Sequence, residues 1–220
     1  KRILEENGFP TPKLLGVAAT SLEIPSFIEQ CKRYGSFVLK PSRGSGGNGI
    51  CVIGAIDGAD WILHSGERYS PMHQYEHVND IVYGVYSLDN TTDRAFAERR
   101  IITHPALEPL ASGGIPDCRI ILYKGTPLCS MLRVPTHRSK GKANLHAGGF
   151  AVTIDQAGGR TGRGWYRRKY ITRHPDSDTD ITGIDLPQWN RVLEIACALR
   201  SVFPLDFLGV DFAFDRDEGP

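Results

Sequence analysis

No stretch of this 220-residue sequence is apolar for long enough to cross a bilayer, and no signal peptide opens it, so no membrane segment is expected in this chain. An excess of charge is also missing. Lys and Arg number 26 against 25 Asp and Glu, a net charge of +1, so no global field favours nucleic acid and recognition must be local. The five cysteines, Cys31, Cys51, Cys118, Cys129 and Cys197, are far apart, odd in number and set in apolar patterns. That excludes a disulfide frame or a zinc site and predicts reduced core residues of a cytoplasmic protein. The seven histidines, His146 and His174 among them, lack metal-ligand spacing. No internal repeat or low-complexity tract is visible, and the 40% hydrophobic content suffices for one large or two small domains.

What is present begins at Phe37-Val-Leu-Lys-Pro-Ser-Arg-Gly-Ser-Gly-Gly-Asn-Gly-Ile50, where a strand ending in Lys40 runs into a glycine-rich loop. Gly44, Gly46 and Gly49 spell G-x-G-x-x-G, but the apolar run Ile50 to Ile56 reads as a second strand, not the helix that a dinucleotide fold requires. A P-loop would close on Gly-Lys-Ser/Thr, and a protein kinase would carry its lysine after the loop together with H-R-D and D-F-G segments; neither pattern occurs. The remaining reading is a hairpin whose loop lies over phosphates like a flap. Its backbone amides would point at phosphate oxygens, and Lys40 would supply a point charge. An ordinary glycine-rich hairpin with a surface lysine is the alternative.

Along the chain, helices are predicted over Lys1–Asn7 and Ser26–Tyr34, with Phe9-Pro-Thr-Pro12 as a stiff linker. Asp57–Tyr69 reads as helical or irregular. Strands are predicted at Ile81–Leu88, Arg94–Ile102, Cys118–Tyr123, Leu128–Val134 and Phe150–Ile154, and the clearest helix at Pro187–Phe203. Asp155–Ile184 reads as a basic loop that suits either solvent or an anionic substrate, and Trp165, Tyr166 and Tyr170 leave base stacking as a remote option. A last strand alternates Leu208, Val210, Phe212 and Phe214 with Asp211 and Asp215, which puts two carboxylates on one face. The turn signal Asp217-Glu-Gly-Pro220 and a first residue other than Met are read as signs of a fragment.

In order, these pieces resemble the ATP-grasp superfamily from about Phe9 onward, nearest to alpha-L-glutamate ligases and sugar-transfer-associated ATP-grasp proteins. Lys40-Pro-Ser-Arg-Gly-Ser-Gly-Gly-Asn-Gly49 is similar to the family's phosphate loop, Ala97-Glu-Arg-Arg-Ile101 to its adenine-recognising hinge strand, and Asp117-Cys-Arg119 to its Asp-x-Arg strand. Asn144-Leu-His-Ala-Gly-Gly149 is similar to the Asn-Leu-x-x-Gly-Gly signature, and Gly209-Val-Asp211 to the start of the magnesium-binding strand. The resemblance implies an α+β ATP-grasp fold of two subdomains gripping a nucleotide, with C-terminal strands missing. The implied division is residues 1–19 as the end of a preceding domain and linker, 20–97 as the N-terminal subdomain and 98–220 as the C-terminal one.

The resemblance further implies ATP and Mg²⁺ as cofactors. The expected activity is carboxylate–amine ligation through an acyl phosphate, on small-molecule or peptide carboxylates and amines, with no nucleic-acid partner. It assigns nucleotide binding to Lys40, Ser42, Gly44, Ser45, Gly46, Gly47, Gly49, Glu98, Arg100 and Ile101, catalysis to Arg119, Arg133 and Asn144, and metal binding to Asp211. Those residue types suit phosphoryl transfer, which needs cationic clamps and hard oxygen ligands more than a nucleophile. Taken singly, Arg119 and Arg133 could belong to surface ion pairs, Glu98 could be a solvated charge, and Asp211 could cap the strand end or pair with Arg216. The family's Glu-x-Asn pair does not appear before Pro220, so this chain alone is expected to be inactive. A non-catalytic nucleotide-binding module and a kinase-like transferase are the competing readings.

Overall fold

The structure, a computed structural model, describes residues 1–89 and 91–220. The chain separates into two compact units, Pro12–Arg100 and Lys1–Thr11 with Ile101–Pro220. A short helix, α1 (Arg2–Glu6), opens the chain. Among the described residues no helix is long and apolar enough to cross a membrane.

In the unit Pro12–Arg100, β1 (Leu14–Ala18) is followed by helix α2 (Ile24–Lys32). The α2 entrance is fixed by Glu23, whose carboxylate accepts from the amides of Ala19 at 2.7 Å and Thr20 at 3.1 Å. Ile24, Phe27, Ile28 and Cys31 then face the core at helical spacing. The predicted hairpin is present as β2 (Phe37–Pro41) antiparallel to β3 (Cys51–Asp57). Asp57–Tyr69 is strand and not helix: Gly58, with φ +60°, turns the chain into β4 (Asp60–Leu63), and β5 (Arg68–Tyr69) follows, with Trp61 fully buried.

Ile81–Leu88 is likewise corrected. It contains the end of helix α3 (Pro71–Val82) and the turns after it. Ser70 caps that helix by accepting from the His73 amide at 3.4 Å, Pro71 presets its first turn, and Gln74, Val78, Ile81 and Val82 face inward. The chain returns through β6 (Ala95–Glu98), shorter than predicted, to give the antiparallel order β1-β6-β2-β3-β4-β5.

The second unit contains β7 (Asp117–Tyr123), β8 (Thr126–Val134), β9 (Phe150–Ile154), β10 (Thr161–Tyr166), β11 (Lys169–Ile171), helix α4 (Trp189–Ala198) and β12 (Phe207–Ala213). The sheet order is β11-β10-β9-β8-β7-β12. The predicted basic loop is thus partly strand. Cys118, Ile120, Leu132, Val152, Val192 and Phe212 belong to one buried core, which leaves the alternate residues of the sheet on an open face. The fold is α+β, built on two antiparallel sheets. Cys31, Cys51 and Cys118 are buried as predicted, whereas Cys129 and Cys197 are exposed. Cys129 pairs across the sheet with the outward residue Ile121.

Candidate functional site

In the unit Pro12–Arg100, Phe37, Leu39, Ala95 and Ala97 fill the core, so Val38, Lys40, Phe96 and Glu98 occupy the opposite face. Val38 pairs with Glu98 and Lys40 with Phe96, which makes Lys40 and Glu98 diagonal neighbours. Their side chains form an ion pair, with Glu98 buried and Lys40 partly open. Two residues predicted separately are therefore one charge-compensated group.

The glycine-rich loop starts from that pair. The Ser42 amide donates to Arg94 O at 3.0 Å and the Arg43 amide to Asp93 Oδ2 at 2.9 Å; Asp93, itself buried, also accepts from the Arg94 amide at 2.7 Å. No motif pointed to Asp93, and its role depends on a pairing fifty residues away in sequence. Ser42, Gly44, Ser45 and Gly46 are exposed, and the chain reverses through Gly46 and Gly47, at φ +61° and +76°. The Gly47 amide forms no hydrogen bond among the described residues. Gly49, at φ +73°, ends the loop against Tyr86, whose ring a Cβ would meet at 2.6 Å. His77 Nε2 lies 3.1 Å from Gly49 O and 3.2 Å from Cys51 Sγ. Burial pushes the Cys51 thiol up to about 11, so this sulfur is a neutral contact. Arg100 reaches His64 Nδ1 at 3.3 Å, and Ile101 is the first residue of the returning segment of the other unit.

On the open face of the second sheet four charges alternate in sign. Asp117 pairs across the strands with Arg133, and Arg119 with Asp211. Arg133 binds Asp117 with two parallel hydrogen bonds of 2.6 and 2.7 Å, and Arg119 binds Asp211 in the same way at 2.7 and 2.8 Å. Arg133 Nη2 also reaches Asp211 Oδ2 at 2.9 Å, which joins the pairs into one network. Burial raises the Asp117 carboxyl above the usual aspartate range, with Arg133 opposing it in part. Burial by itself would lower Arg133, but Asp117 and Asp211 outweigh it and raise the guanidinium. Alternation along Asp117-Cys-Arg119 could have placed Asp117 in this set.

Asn144 lies near the end of β8, where a Cβ on Gly149 would meet Val134 O at 2.9 Å and Asn144 O at 3.1 Å. Its Oδ1 accepts from the His146 amide at 2.9 Å and caps a short turn, while its carbonyl accepts from the Gly149 amide at 3.0 Å. The same-face placing of Asp211 and Asp215 does not hold. The strand ends at Ala213, and the buried Asp215 carboxylate accepts from the amides of Ile102, Asp217 and Glu218 at 2.9, 2.9 and 3.0 Å. Arg216 pairs with Asp217, and no pair between Arg216 and Asp211 occurs among the described residues.

Among the described residues no three His, Cys, Asp or Glu side chains cluster as a ready metal site. Mg²⁺ is ordinarily held by one or two carboxylates plus phosphate oxygens and water. Asp211, with Asp117 close by through Arg133, fits that sparser set: Asp211 Oδ1 accepts one hydrogen bond and keeps a second lone pair.

A family model described as sugar-transfer-associated ATP-grasp matches residues 1–220. No curated protein matches the sequence. Among solved structures, D-alanine–D-alanine ligase from Bacillus anthracis is similar at 16% identity and TM-score 0.47, over 97% of this chain and 50% of that one. The D-cycloserine synthetase DcsG is similar at 12% identity and TM-score 0.45, over 100% of this chain and 57% of its own. The ATP-grasp ligase PsnB, solved with a precursor peptide and AMPPNP, is similar at 11% identity and TM-score 0.41, over 100% of this chain and 44% of its own. The chain spans about half the length of these structures. At such identities and scores the likeness says nothing about substrate.

Proposed function

The chain belongs to the sugar-transfer-associated ATP-grasp family, and on that footing we propose that it carries the nucleotide- and carboxylate-handling residues of an ATP-dependent ligase. In the proposed reaction a carboxylate oxygen attacks the γ-phosphorus of ATP, the bond to the bridging oxygen breaks and ADP leaves. An amine nitrogen then adds to the acyl carbon, phosphate departs with the bonding electrons, and the nitrogen gives up a proton to water. Transfer of this kind needs charge placed ahead of time more than a nucleophilic side chain.

The observation that carries the reading is the network of Asp117, Arg133, Asp211 and Arg119, in which two guanidinium forks are held on an open sheet face before any ligand arrives. Arg119 and Arg133 would neutralise the transferring oxygens. Lys40, with the loop from Ser42 to Gly49, would hold phosphates, and Glu98 keeps that ammonium in position. Asp211 would help to hold Mg²⁺, which supplies charge neutralisation of the phosphates when bound. The narrower glutamate-ligase-like specificity rests on the Asn144–Gly149 signature alone; Asn144 Oδ1 accepts one hydrogen bond, from the His146 amide, and the Nδ2 group remains a further donor. Nucleotide binding without ligation is the second reading. One observation favours it: both oxygens of Asp211 already accept from guanidinium groups.

The test is calorimetric titration of AMPPNP with and without Mg²⁺. Lys40→Met should weaken binding by about 1.5–3 kcal/mol, as loss of a charge-assisted hydrogen bond, and Glu98→Gln, which removes the carboxylate that positions Lys40, should weaken it by less. Unchanged affinity in a folded Lys40→Met protein would overturn the phosphate assignment. ADP release that rises with added carboxylate separates ligation from binding alone.

A further inference from the structure

The hairpin of β10 and β11 presents rings and cations that the proposed chemistry leaves unused. Gly164 and Tyr166 turn toward the core, so Arg163 and Trp165 stand on the open face, and Tyr170, paired with Trp165, stands there too. The two rings meet edge to face with centroids 4.9 Å apart, and Trp165 is 46% and Tyr170 65% exposed. The Arg163 guanidinium lies 4.8 Å from the Tyr170 ring centroid. Among the described residues Arg163, Arg167, Arg168 and Lys169 form no ion pair. Arg167 and Arg168 occupy the turn at φ +48° and +66°, both left-handed, where Asn-Gly would sit without strain. The turn thus retains two cations at a conformational cost.

Register ties this hairpin to the charge network. Asp117 pairs with Arg133, Arg133 with Ala151, Ala151 with Trp165 and Trp165 with Tyr170, so all five lie in one row on one face. Trp165 is two strands from Arg133, about 10 Å at ordinary strand spacing, and the residue between them is an alanine. That small side chain leaves room for a molecule lying along the row.

We propose that Trp165, Tyr170 and Arg163 form a substrate subsite for a ring-bearing acid. The ring lies on the indole, the anionic group meets Arg163, and the rest of the molecule extends over Ala151 toward Arg133. This deepens the ligase reading and rests on it, since it names the class of one substrate. An aromatic face accepts either a flat aromatic ring or the C–H face of a sugar ring, and the guanidinium selects the acid. A nucleic-acid strand also combines rings with negative charge, but farther along the same row Arg133 and its neighbour Arg119 are matched one for one by Asp117 and Asp211, so the face offers no continuous basic stripe to a phosphate backbone.

Nitrogen-labelled protein gives three indole N–H signals, from Trp61, Trp165 and Trp189. Titration with glucuronate, benzoate and the acyclic acid gluconate at equal concentrations should move the Trp165 signal with at least one ring acid and not with gluconate. A response to glucuronate alone identifies a sugar acid, and a response to benzoate alone an aromatic one. Arg163→Gln should weaken the response at least several-fold, and Trp165→Phe should retain ring-acid binding, seen by saturation transfer to ligand protons, that Trp165→Ala loses. Equal shifts with gluconate, or no shift with either ring acid, overturn the subsite. AMPPNP titration of the same sample separates the two readings: lost nucleotide binding with the ring-acid shift intact sinks only the ligase assignment.

Discussion

Replacement of Arg133 by methionine tests the charge network most sharply, because the two guanidiniums differ in burial. The Arg133 side chain is 12% exposed and its partner Asp117 23%, whereas Arg119 and Asp211 are 38% and 41% exposed. Removing one member of a buried pair strands the other, at about 3–5 kcal/mol. Water reaching Asp117 lowers that to roughly 2–4 kcal/mol for Arg133→Met. Arg119→Met opens an exposed pair and should cost about 0.2–1 kcal/mol. The two units can unfold separately, so the measurement is urea unfolding in a Trp61→Phe background. Fluorescence then comes from Trp165 and Trp189, both in the unit that holds the network. Trp61 Nε1 is buried with no hydrogen-bond partner among the described residues, so phenylalanine there removes an unsatisfied donor. The double change Asp117→Leu with Arg133→Met should recover more than half of the loss. Equal costs for the two arginines, or no recovery, would refute the buried-pair reasoning.

Two further outcomes follow from the geometry. Gly49→Ala should destabilise the unit Pro12–Arg100 more than Gly46→Ala: both positions are left-handed, which costs about 1–2 kcal/mol for alanine, but only at Gly49 does a Cβ strike a ring, that of Tyr86. Hydrogen exchange of the β2 and β3 amides measures this, and equal protection in the two variants would contradict it. Asp117, raised by burial, favours the fold in its neutral form, so its contribution is full below the unfolded carboxyl value and is lost as pH rises through the folded one. Carboxyl-carbon NMR should place its titration above the ordinary aspartate value of about 3.9, and Asp117→Asn should flatten the stability profile in that window; a titration at or below the ordinary value refutes it.

The β2–β3 hairpin was legible because glycines and apolar runs mark it locally, and β7 and β12 because each alternates cleanly between core and open face. β10 was hidden for a physical reason. Gly162 and Gly164 carry no side chain to show the alternation, yet Gly164 occupies a core position where a Cβ would meet Ile181 at 2.7 Å. Helix α3 was obscured by its β-branched end and by the buried polar Gln74, whose amide donates to Ala59 O at 2.8 Å and Tyr69 O at 2.9 Å. The pairing of Lys40 with Glu98 and the anchoring of the loop by Asp93 depend on which strands become neighbours, and no spacing along the chain encodes that.

The strand order of the second sheet also bears on how it assembles. From β7 to β11 each strand lies beside its predecessor, so those pairings close short loops. β12 instead joins the far side of β7 after the whole meander and α4 have intervened, and it pairs Asp211 with Arg119 across 92 residues. Local pairings form ahead of distant ones. Asp117 and Arg133 therefore meet early, and Arg119 waits for its carboxylate until the last strand docks. A nascent chain released from the ribosome before β12 is in place would expose the β7 edge, with an unneutralised guanidinium beside it, to any passing strand or anion.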